Sequence, residues 1–296
     1  MSRQALDRAS DAHTEPPSGR SQGAPPVEQQ ISLRDVTVQY GAADHAVLAL
    51  QAANLQIGQG EFVALVGPSG CGKSTILRLV GGLLGPTSGT VAVGKSGEDI
   101  RIGMAFQNAT LLPWLTILQN VMLPLKIVEP FRKHFRTKRK TEYRDRVEQL
   151  LQQVGLSGFG DKYPWQLSGG MLQRASLCRA LIHEPSLLLL DEPFAALDQF
   201  TREELWAVLQ QLWITHCPTV LLVTHDFREA VFLATRLCVM RPRPGQIIDD
   251  SIVNFPRPRT LDMTFKPDFV DAMHRARMLV GEGRENAAVR TIGERK

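Results

Sequence analysis

The chain contains no run of about 18 apolar residues, the length that a membrane-spanning helix requires. Its N-terminus contains no apolar stretch of the kind that forms the core of a signal peptide. The four cysteines show neither metal-ligand spacing nor a disulfide framework, which favours a reducing compartment. We therefore expect a cytoplasmic protein whose association with any membrane comes through a partner.

Aromatic residues make up only 6% of the chain and are not interleaved with its basic residues at a spacing that suits base stacking. Nucleic-acid binding is therefore not expected. The formal net charge of +4 is mild, and much of it lies in residues 132–146, which include eight Lys or Arg residues. This run is typical of a solvated helix or loop face; attraction to anionic lipid or to an acidic partner is the alternative.

The 296 residues suffice for one large domain or two small ones. Residues 1–28 are rich in Ser, Pro, Gly and Gln and hold few large apolar residues, which predicts a disordered tail. The folded part of the chain is expected to begin at Ile31. It should contain a strand at 36–40, a turn at 41–44 and a pair of strands within 46–57. Residues 256–296 are expected to form a C-terminal tail, helical from 267 to about 281 and frayed beyond.

Three short apolar runs suit strands that are buried on both faces, at 62–66, 187–190 and 220–224. Helical patterns alternate with these runs. One follows the glycine-rich loop and ends near residue 83, and the others span 168–183, 203–213 and 228–234. Two last strands are expected at 237–240 and 246–248. The alternation predicts an α/β fold with a mainly parallel sheet covered on both faces. Residues 110–165 depart from it and predict a helical insertion. Ligands of such sheets bind beyond the carboxyl ends of the strands.

A phosphate-binding pattern follows the first buried strand. The spacing Gly67-x-x-x-x-Gly72-Lys73-Ser74 lets the backbone N–H groups point at phosphate oxygens, and the next helix adds its dipole. Lys73 is expected to reach the β- and γ-phosphates and the Ser74 hydroxyl to face Mg²⁺. The candidate nucleotide-binding residues are Gly67, Pro68, Ser69, Gly70, Cys71, Gly72, Lys73, Ser74 and Thr75. Cys71 fills a variable position, although a thiol at a helix N-terminus can also have a lowered pKa.

Two carboxylates end the strand at 187–190. An acidic pair at such a place is costly without a cation or ligand to balance it. We therefore predict that Asp191 is a partner of Mg²⁺ and that Glu192 is the general base that polarises an attacking water. A pair of helix-capping residues is the alternative.

The phosphate loop is one predicted anion cradle. A second anion cradle is predicted in residues 167–174, Leu-Ser-Gly-Gly-Met-Leu-Gln-Arg. Ser168 at a helix N-cap, followed by Gly169 and Gly170, presents unpaired backbone N–H groups. The two cradles lie in different parts of the chain, so they are not expected to converge within one protomer. A head-to-tail dimer would bring each cradle to the nucleotide of the other chain.

Together these motifs resemble those of the ATP-binding subunits of ABC (ATP-binding cassette) transporters. The resemblance covers residues 31 to about 250 and implies the ABC type of P-loop NTPase core, with an antiparallel β subdomain, in a domain at 29–255. It implies ATP and Mg²⁺ as cofactors and a head-to-tail dimer of cassettes, expected to be a homodimer. Met171 stands where the commonest family signature has Gln, which leaves the backbone donors intact.

The resemblance assigns roles that single residues do not reveal. Gln107, after a short strand at 102–106, is implied to ligate Mg²⁺ and to link the site to the helical insertion. His225 is implied to contact the γ-phosphate and order the water. The catalytic set is Lys73, Gln107, Glu192 and His225.

Two further residues are implied to belong to the nucleotide site. Tyr40 is implied to stack on adenine, with an edge-strand aromatic as the alternative. Asp198, in the segment 195–198, resembles the loop that couples the two sites of a dimer, and a role as helix N-cap is compatible with this.

Finer features resemble importers of the nitrate, sulfonate and taurine type: residues 111–121, 193–202 and 241–245. This implies separate integral membrane permease subunits, indirect contact with a periplasmic or extracellular solute-binding protein, and a peripheral location at the cytoplasmic face of the cell (inner) membrane. Residues 111–115 are expected to dock a permease helix, with core packing as the alternative.

Two rival classes are disfavoured. A soluble non-transport ABC ATPase of translation or DNA repair typically has paired cassettes or a long coiled-coil insertion, and this chain has neither. A phosphate-loop kinase or GTPase has no reason to contain residues 167–174.

Overall fold

The computed structural model describes residues 28–41, 46–95, 100–242 and 244–293, with side chains described as far as residue 281. The predicted disordered tail and the predicted turn at 41–44 therefore lie almost entirely outside the described residues. Among the residues described, no helix is both long and apolar enough to cross a membrane.

The described elements follow one another in this order: β1 (Gln29–Tyr40), β2 (Val47–Gly58), β3 (Phe62–Val66), α1 (Lys73–Val80), β4 (Ser88–Val93), β5 (Ile102–Ala105), α2 (Ile117–Ile127), α3 (Phe131–Lys138), α4 (Glu142–Gln153), α5 (Gly169–Leu181), β6 (Leu187–Asp191), α6 (Gln199–His216), β7 (Thr219–Thr224), α7 (Phe227–Leu233), β8 (Arg236–Arg241), β9 (Gln246–Ile252) and α8 (Pro267–Gly293).

The main sheet has six strands in the order β5-β6-β7-β3-β8-β9. Its neighbours pair in parallel, except that β9 runs antiparallel to β8. The three central strands are β3, β6 and β7, and apart from the half-buried Asp191 all their residues are buried. This confirms the predicted α/β fold with a mainly parallel sheet, because unbroken apolar runs suit strands that are covered on both faces.

A second, antiparallel sheet of three strands has the order β2-β1-β4. Its buried side chains form one core with α1 and with one face of the main sheet, whereas the helical insertion and the C-terminal helix share the core on the other face. Strand β3 divides between them with period two: Val63 and Leu65 face the first core, and Phe62, Ala64 and Val66 face the second.

Several predicted boundaries are wrong. The pair of strands expected within 46–57 is a single strand, β2 (Val47–Gly58), because Ala52 (φ 45°) marks an irregularity in its pairing with β1 and not a turn. Helix α1 ends at Val80 because Gly81 and Gly82 follow it, the latter at φ 67°. Helix α8 continues past the predicted end near 281, to Gly293. Strand β4 was not foreseen as an element.

Residues 110–165 contain three helices, α2, α3 and α4, as the predicted helical insertion requires. A capping box begins α2, with the Thr116 side chain accepting from the Gln119 N–H. Helix α3 buries none of its residues, which fits a solvated face for the basic run at 132–146. The division of the chain into subdomains stays a prediction.

One buried arginine fastens the C-terminal segment to the core. Arg259 donates to the carbonyl oxygens of Val231, Phe232 and Ala234 at the end of α7, at 2.7, 3.1 and 2.7 Å. Burial lowers the pKa of its guanidinium to about 9. These bonds satisfy carbonyls that a helix end leaves unpaired, so the tail from 256 packs as part of the same structure.

Candidate nucleotide site

The phosphate loop follows β3 and begins α1, as predicted. The Lys73 ammonium is buried within it and donates to the carbonyl oxygens of Gly67 and Pro68, at 2.9 and 3.1 Å. The N-cap of α1 is Gly72 in the left-handed region, with no side chain capping the helix. The first N–H groups of α1 therefore lack a side-chain partner, which is the arrangement that binds anions at a helix N-terminus.

Close packing explains two of the loop glycines. A Cβ atom on Gly72 would lie 2.5 Å from Leu50 Cδ2, at a φ of 94° that side chains rarely adopt. A Cβ atom on Gly67 would lie 2.6 Å from the Met240 carbonyl oxygen and 2.9 Å from Cys71 Sγ. The protein itself thus requires glycine at both ends of the loop.

The loop cysteine is buried, and burial raises the pKa of its thiol, against the opposing effect of Lys73. A thiol that stays protonated is a poor nucleophile. The raised pKa favours a role for Cys71 as a residue that fills the loop over a role as a reactive thiolate.

The phosphate loop and strand β6 meet through Ser74 and Asp191. The Ser74 hydroxyl donates to Asp191 Oδ1 at 2.9 Å. Burial raises the pKa of the Asp191 carboxyl, and the neighbouring Glu192 raises it further, while the Ser74 bond opposes both effects. Burial beside a second carboxylate therefore makes the ionised form of Asp191 costly unless a cation balances it.

Three of the four catalytic candidates converge on one carboxylate oxygen. Glu192 Oε2 lies 3.1 Å from His225 Nδ1 and 3.4 Å from Gln107 Nε2. Glu192 adopts a left-handed backbone conformation (φ 47°), and its N–H donates to the Val223 carbonyl at 2.8 Å. Such conformations are costly for residues other than glycine, and they concentrate at functional sites.

Tyr40, at the end of β1, lies beside the phosphate loop. Its hydroxyl is 3.3 Å from Thr75 Oγ1, and 39% of the residue is exposed. An aromatic ring at this position can receive a base from solvent while its hydroxyl stays anchored. Val47, its partner in β2, is also exposed.

Ser168 is the N-cap of α5, as predicted, and its Oγ accepts from the Met171 N–H at 3.3 Å. Among the bonds of the described residues, none joins Ser168, Gly169 or Gly170 to the phosphate loop. Asp198 is likewise the N-cap of α6, accepting from the Thr201 N–H at 3.0 Å, and this bond lowers the pKa of the Asp198 carboxyl.

The structure also reveals neighbours of the site that the sequence pattern did not indicate. Gly245 lets the β8–β9 turn pack behind the loop, because a Cβ atom there would lie 2.2 Å from the Cys71 carbonyl oxygen. Gln173 donates to the carbonyl oxygen of Phe106, next to Gln107, at 2.9 Å. Both residues lie in segments that the sequence singles out, 241–245 and 167–174, but neither contact is indicated by those motifs.

The strand order of the main sheet, with the phosphate loop at the carboxyl end of its interior strand β3, defines a P-loop ATPase of the ATP-binding cassette type. The sequence pattern of the family described as ABC transporter matches residues 50–195. The aliphatic sulfonates import ATP-binding protein SsuB of Bacillus licheniformis is 40% identical over 233 residues, covering 78% of this chain and 87% of that protein. The taurine import ATP-binding protein TauB of Yersinia pestis is 43% identical over 210 residues, covering 70% and 79%.

Solved structures agree. A dimeric ATP-binding cassette in a post-hydrolysis state, bound to ADP and Pi, superposes with a TM-score of 0.66 at 34% identity, covering 76% of this chain and all of that one. The chain therefore belongs to the ABC transporter family, in the branch of the sulfonate and taurine import ATP-binding proteins.

Proposed function

We propose that the chain is the ATP-hydrolysing subunit of an ABC importer, acting as a head-to-tail homodimer on separate permease subunits at the cytoplasmic face of the inner membrane. Its relatives are named for the import of aliphatic sulfonates and of taurine. A small sulfonate-like anion, presented by a solute-binding protein, is the solute that fits both. These import names do not favour a soluble non-transport ATPase.

The observation that carries the proposal is the convergence on Glu192. Its carboxylate stands at the carboxyl end of a buried central strand, next to Asp191, and contacts both Gln107 and His225. Asp191 in turn contacts Ser74 of the phosphate loop. A nucleotide whose phosphates lie on that loop would present its γ-phosphate to this group of side chains.

The residues beside the phosphate loop fit Mg²⁺. The ion usually takes one or two protein oxygens and fills its other positions with water and substrate phosphate. Ser74 and Asp191 offer such oxygens, and the Gln107 amide contacts Glu192, the residue next to Asp191. When bound, Mg²⁺ neutralises charge on the β- and γ-phosphates. We propose that these three residues hold it.

In hydrolysis, Lys73 neutralises phosphate charge, and Glu192 accepts the proton of the water that attacks the γ-phosphorus. His225 Nδ1 faces Glu192, so the Nε2 edge of the ring is the one left for the γ-phosphate. The bond between the β–γ bridging oxygen and the γ-phosphorus breaks, which yields ADP and phosphate. Electrostatic stabilisation by groups already in place supplies most of the lowering of the barrier.

The second cradle needs a second chain. Ser168 and Gly169 are exposed at the start of α5, Gly170 is half-buried, and no cation like Lys73 stands among these three residues. We propose that these residues close on the nucleotide of the partner, with Asp198 near the same interface. Each ATP would then lie between two chains.

The permease would dock on the helical insertion. Leu111 is buried in the core, so the packing alternative applies to it, but Trp114 is 69% exposed. Tyr163 stacks on the exposed Trp165, with ring centroids 4.5 Å apart. The chain segments that carry these residues are joined by a bond from the Ile117 N–H to the Lys162 carbonyl at 2.8 Å. Exposed aromatic side chains of this kind mark interaction surfaces.

The test is Glu192→Gln, which keeps the shape of the side chain and removes the base. We expect turnover to fall by about 10²- to 10³-fold, while ATP binding persists and the chain accumulates as an ATP-dependent dimer in size-exclusion chromatography. Glu184→Gln is the matched control, because Glu184 also has a positive φ (49°) and lies away from these residues. Normal turnover by Glu192→Gln would refute the assignment of the base.

A further inference from the structure

Helix α5 runs from the second cradle along the whole of strand β5. His183 Nε2 lies 3.1 Å from the Ile102 carbonyl oxygen, near the start of the strand. The backbones touch at Gly103, where a Cβ atom would lie 2.2 Å from the Ala180 carbonyl oxygen. Helix and strand are therefore held together by backbone contacts and leave little room to slide.

At the far end of the strand, the same helix holds the residue before Gln107. Gln173 is 3% exposed, and its Nε2 donates to the Phe106 carbonyl oxygen at 2.9 Å. A buried amide that loses such a partner is costly, so this bond fixes the backbone at Phe106. The next residue carries the Gln107 amide, 3.4 Å from Glu192 Oε2.

The loop after Phe106 returns to α5. Arg179 donates to the Thr110 carbonyl oxygen at 2.8 Å and to Thr110 Oγ1 at 2.9 Å. The Gln107 loop, residues 106–110, is thus bonded at both ends to one helix. By contrast, Glu192 directly follows strand β6, and the bond from Gln107 to Glu192, at 3.4 Å, is the longest of these bonds.

We propose that Gln173 is a positioning residue that sets the place of Gln107 relative to Glu192. Gln173 lies five positions after Ser168, so it is about 7.5 Å along the helix from the second cradle. A nucleotide of the partner chain that engages this cradle would shift α5, and with it the Gln107 loop of the same chain. This coupling between the two chains rests on the proposed function, whereas the bond from Gln173 to the Gln107 loop does not depend on it.

Gln173→Met tests the proposal, since methionine is of similar size and lacks the N–H donor. Gln210→Met is the matched control: Gln210 is also 3% exposed and donates to a carbonyl oxygen, that of Arg259, at 2.9 Å, far from the Gln107 loop. The measurements are kcat and KM for ATP, and amide hydrogen exchange of residues 106–110, all on the full-length chain.

For Gln173→Met we expect kcat to fall about tenfold with KM within twofold of wild type, and exchange at 106–110 to rise at least fivefold. Gln210→Met should leave both unchanged, even if it lowers Tm as much. Unchanged exchange and kcat in Gln173→Met would overturn the proposal, and so would equal changes in both variants. A positioning role, unlike a general loss of packing, separates kcat from KM.

A second variant keeps the test decisive if Gln173→Met does not fold. Gln173→Asn keeps the amide on a side chain that is one methylene shorter and so draws it away from the Phe106 carbonyl; it should raise exchange at 106–110 at least twofold, and no rise would overturn the proposal. If the wild-type chain fails to hydrolyse ATP, the proposed function fails, while the exchange measurements still decide whether Gln173 holds the loop.

Discussion

The two anion cradles differ in what surrounds their glycines. In the phosphate loop, a Cβ atom on Gly67 or Gly72 would meet protein atoms at 2.6 and 2.5 Å. In the second cradle, a Cβ atom on Gly169 would meet nothing within 4 Å, and on Gly170 it would meet only Leu197 Cδ2, at 3.1 Å. The first pair of glycines is needed by the fold, whereas the second pair is not.

The charges differ in the same direction. Lys73 lies buried inside the first cradle, while Ser168 in the second uses its hydroxyl to cap its own helix. The first cradle is a finished anion site built into the core, and the second is an open surface that requires something from outside to explain its glycines. A phosphate group held by another chain is a ligand of the right kind.

The sharpest way to break this comparison is to place alanine in each cradle. Gly67→Ala should destabilise the fold by about 2 kcal/mol or more, because the new methyl group meets a backbone oxygen. Gly169→Ala should leave the free energy of unfolding unchanged or raise it slightly, since alanine favours helix. It should nevertheless cut ATP turnover about 100-fold, on the scale of losing a preorganised phosphate or oxyanion donor.

Chemical denaturation gives the stabilities and a phosphate-release assay the rates, both measured on the same preparations. If Gly169→Ala keeps the wild-type free energy of unfolding, a turnover defect in that variant cannot be assigned to unfolding. The comparison is broken if Gly169→Ala hydrolyses ATP like wild type, or if both substitutions destabilise the fold equally.

Tyr40 lies beside the phosphate loop, and its predicted stacking on adenine gives a further test of that cradle. Tyr40→Ala should weaken ATP binding about tenfold, in line with the 1–3 kcal/mol attributed to stacking of a base on an aromatic ring. Tyr40→Phe keeps the ring and loses only the hydroxyl contact with Thr75, so its Kd should stay within twofold of wild type. Equilibrium titration with a fluorescent ATP analogue measures both, and equal Kd values for the two variants would favour the edge-strand alternative.

Sequence was sufficient for the central strands and for the carboxylates at their ends. Continuous apolar runs such as 187–190 permit few structures other than a buried strand, so the positions of Asp191 and Glu192 followed directly. The phosphate loop was predictable for a similar reason: its spacing, flanked by a strand and a helix, has one common structural solution.

Sequence was insufficient where distant segments approach each other. The irregularity at Ala52 turns an expected strand pair into one strand, and it depends on the register with β1. Gly245 and Gln173 lie in segments that the sequence singles out, but their contacts with Cys71 and Phe106 cross long stretches of chain and cannot be inferred from those segments alone. Contacts of this kind follow from tertiary packing, which propensity and periodicity do not contain.

The smallest change in stability is expected at His183, which lies just beyond the end of α5 that is remote from the second cradle. Burial lowers the pKa of His183 below its ordinary value of 6.5, and the nearby Arg101 and Arg146 lower it further. The unfolded chain therefore binds a proton at this residue more readily than the folded chain. The stability that neutral His183 contributes is present above pH 6.5 and is lost as the pH falls below it.

His183→Gln should reduce this loss, because the amide can still donate to the Ile102 carbonyl and does not titrate. Between pH 7.5 and 5.5 we expect Tm to fall about 2 °C further in wild type than in the variant, by differential scanning calorimetry. The two proteins differ at this residue alone, so the difference between their Tm changes reports on His183. Parallel Tm curves would show that protonation of His183 does not destabilise the packing of α5 against β5. That packing would then depend on the backbone contact at Gly103 and on Gln173.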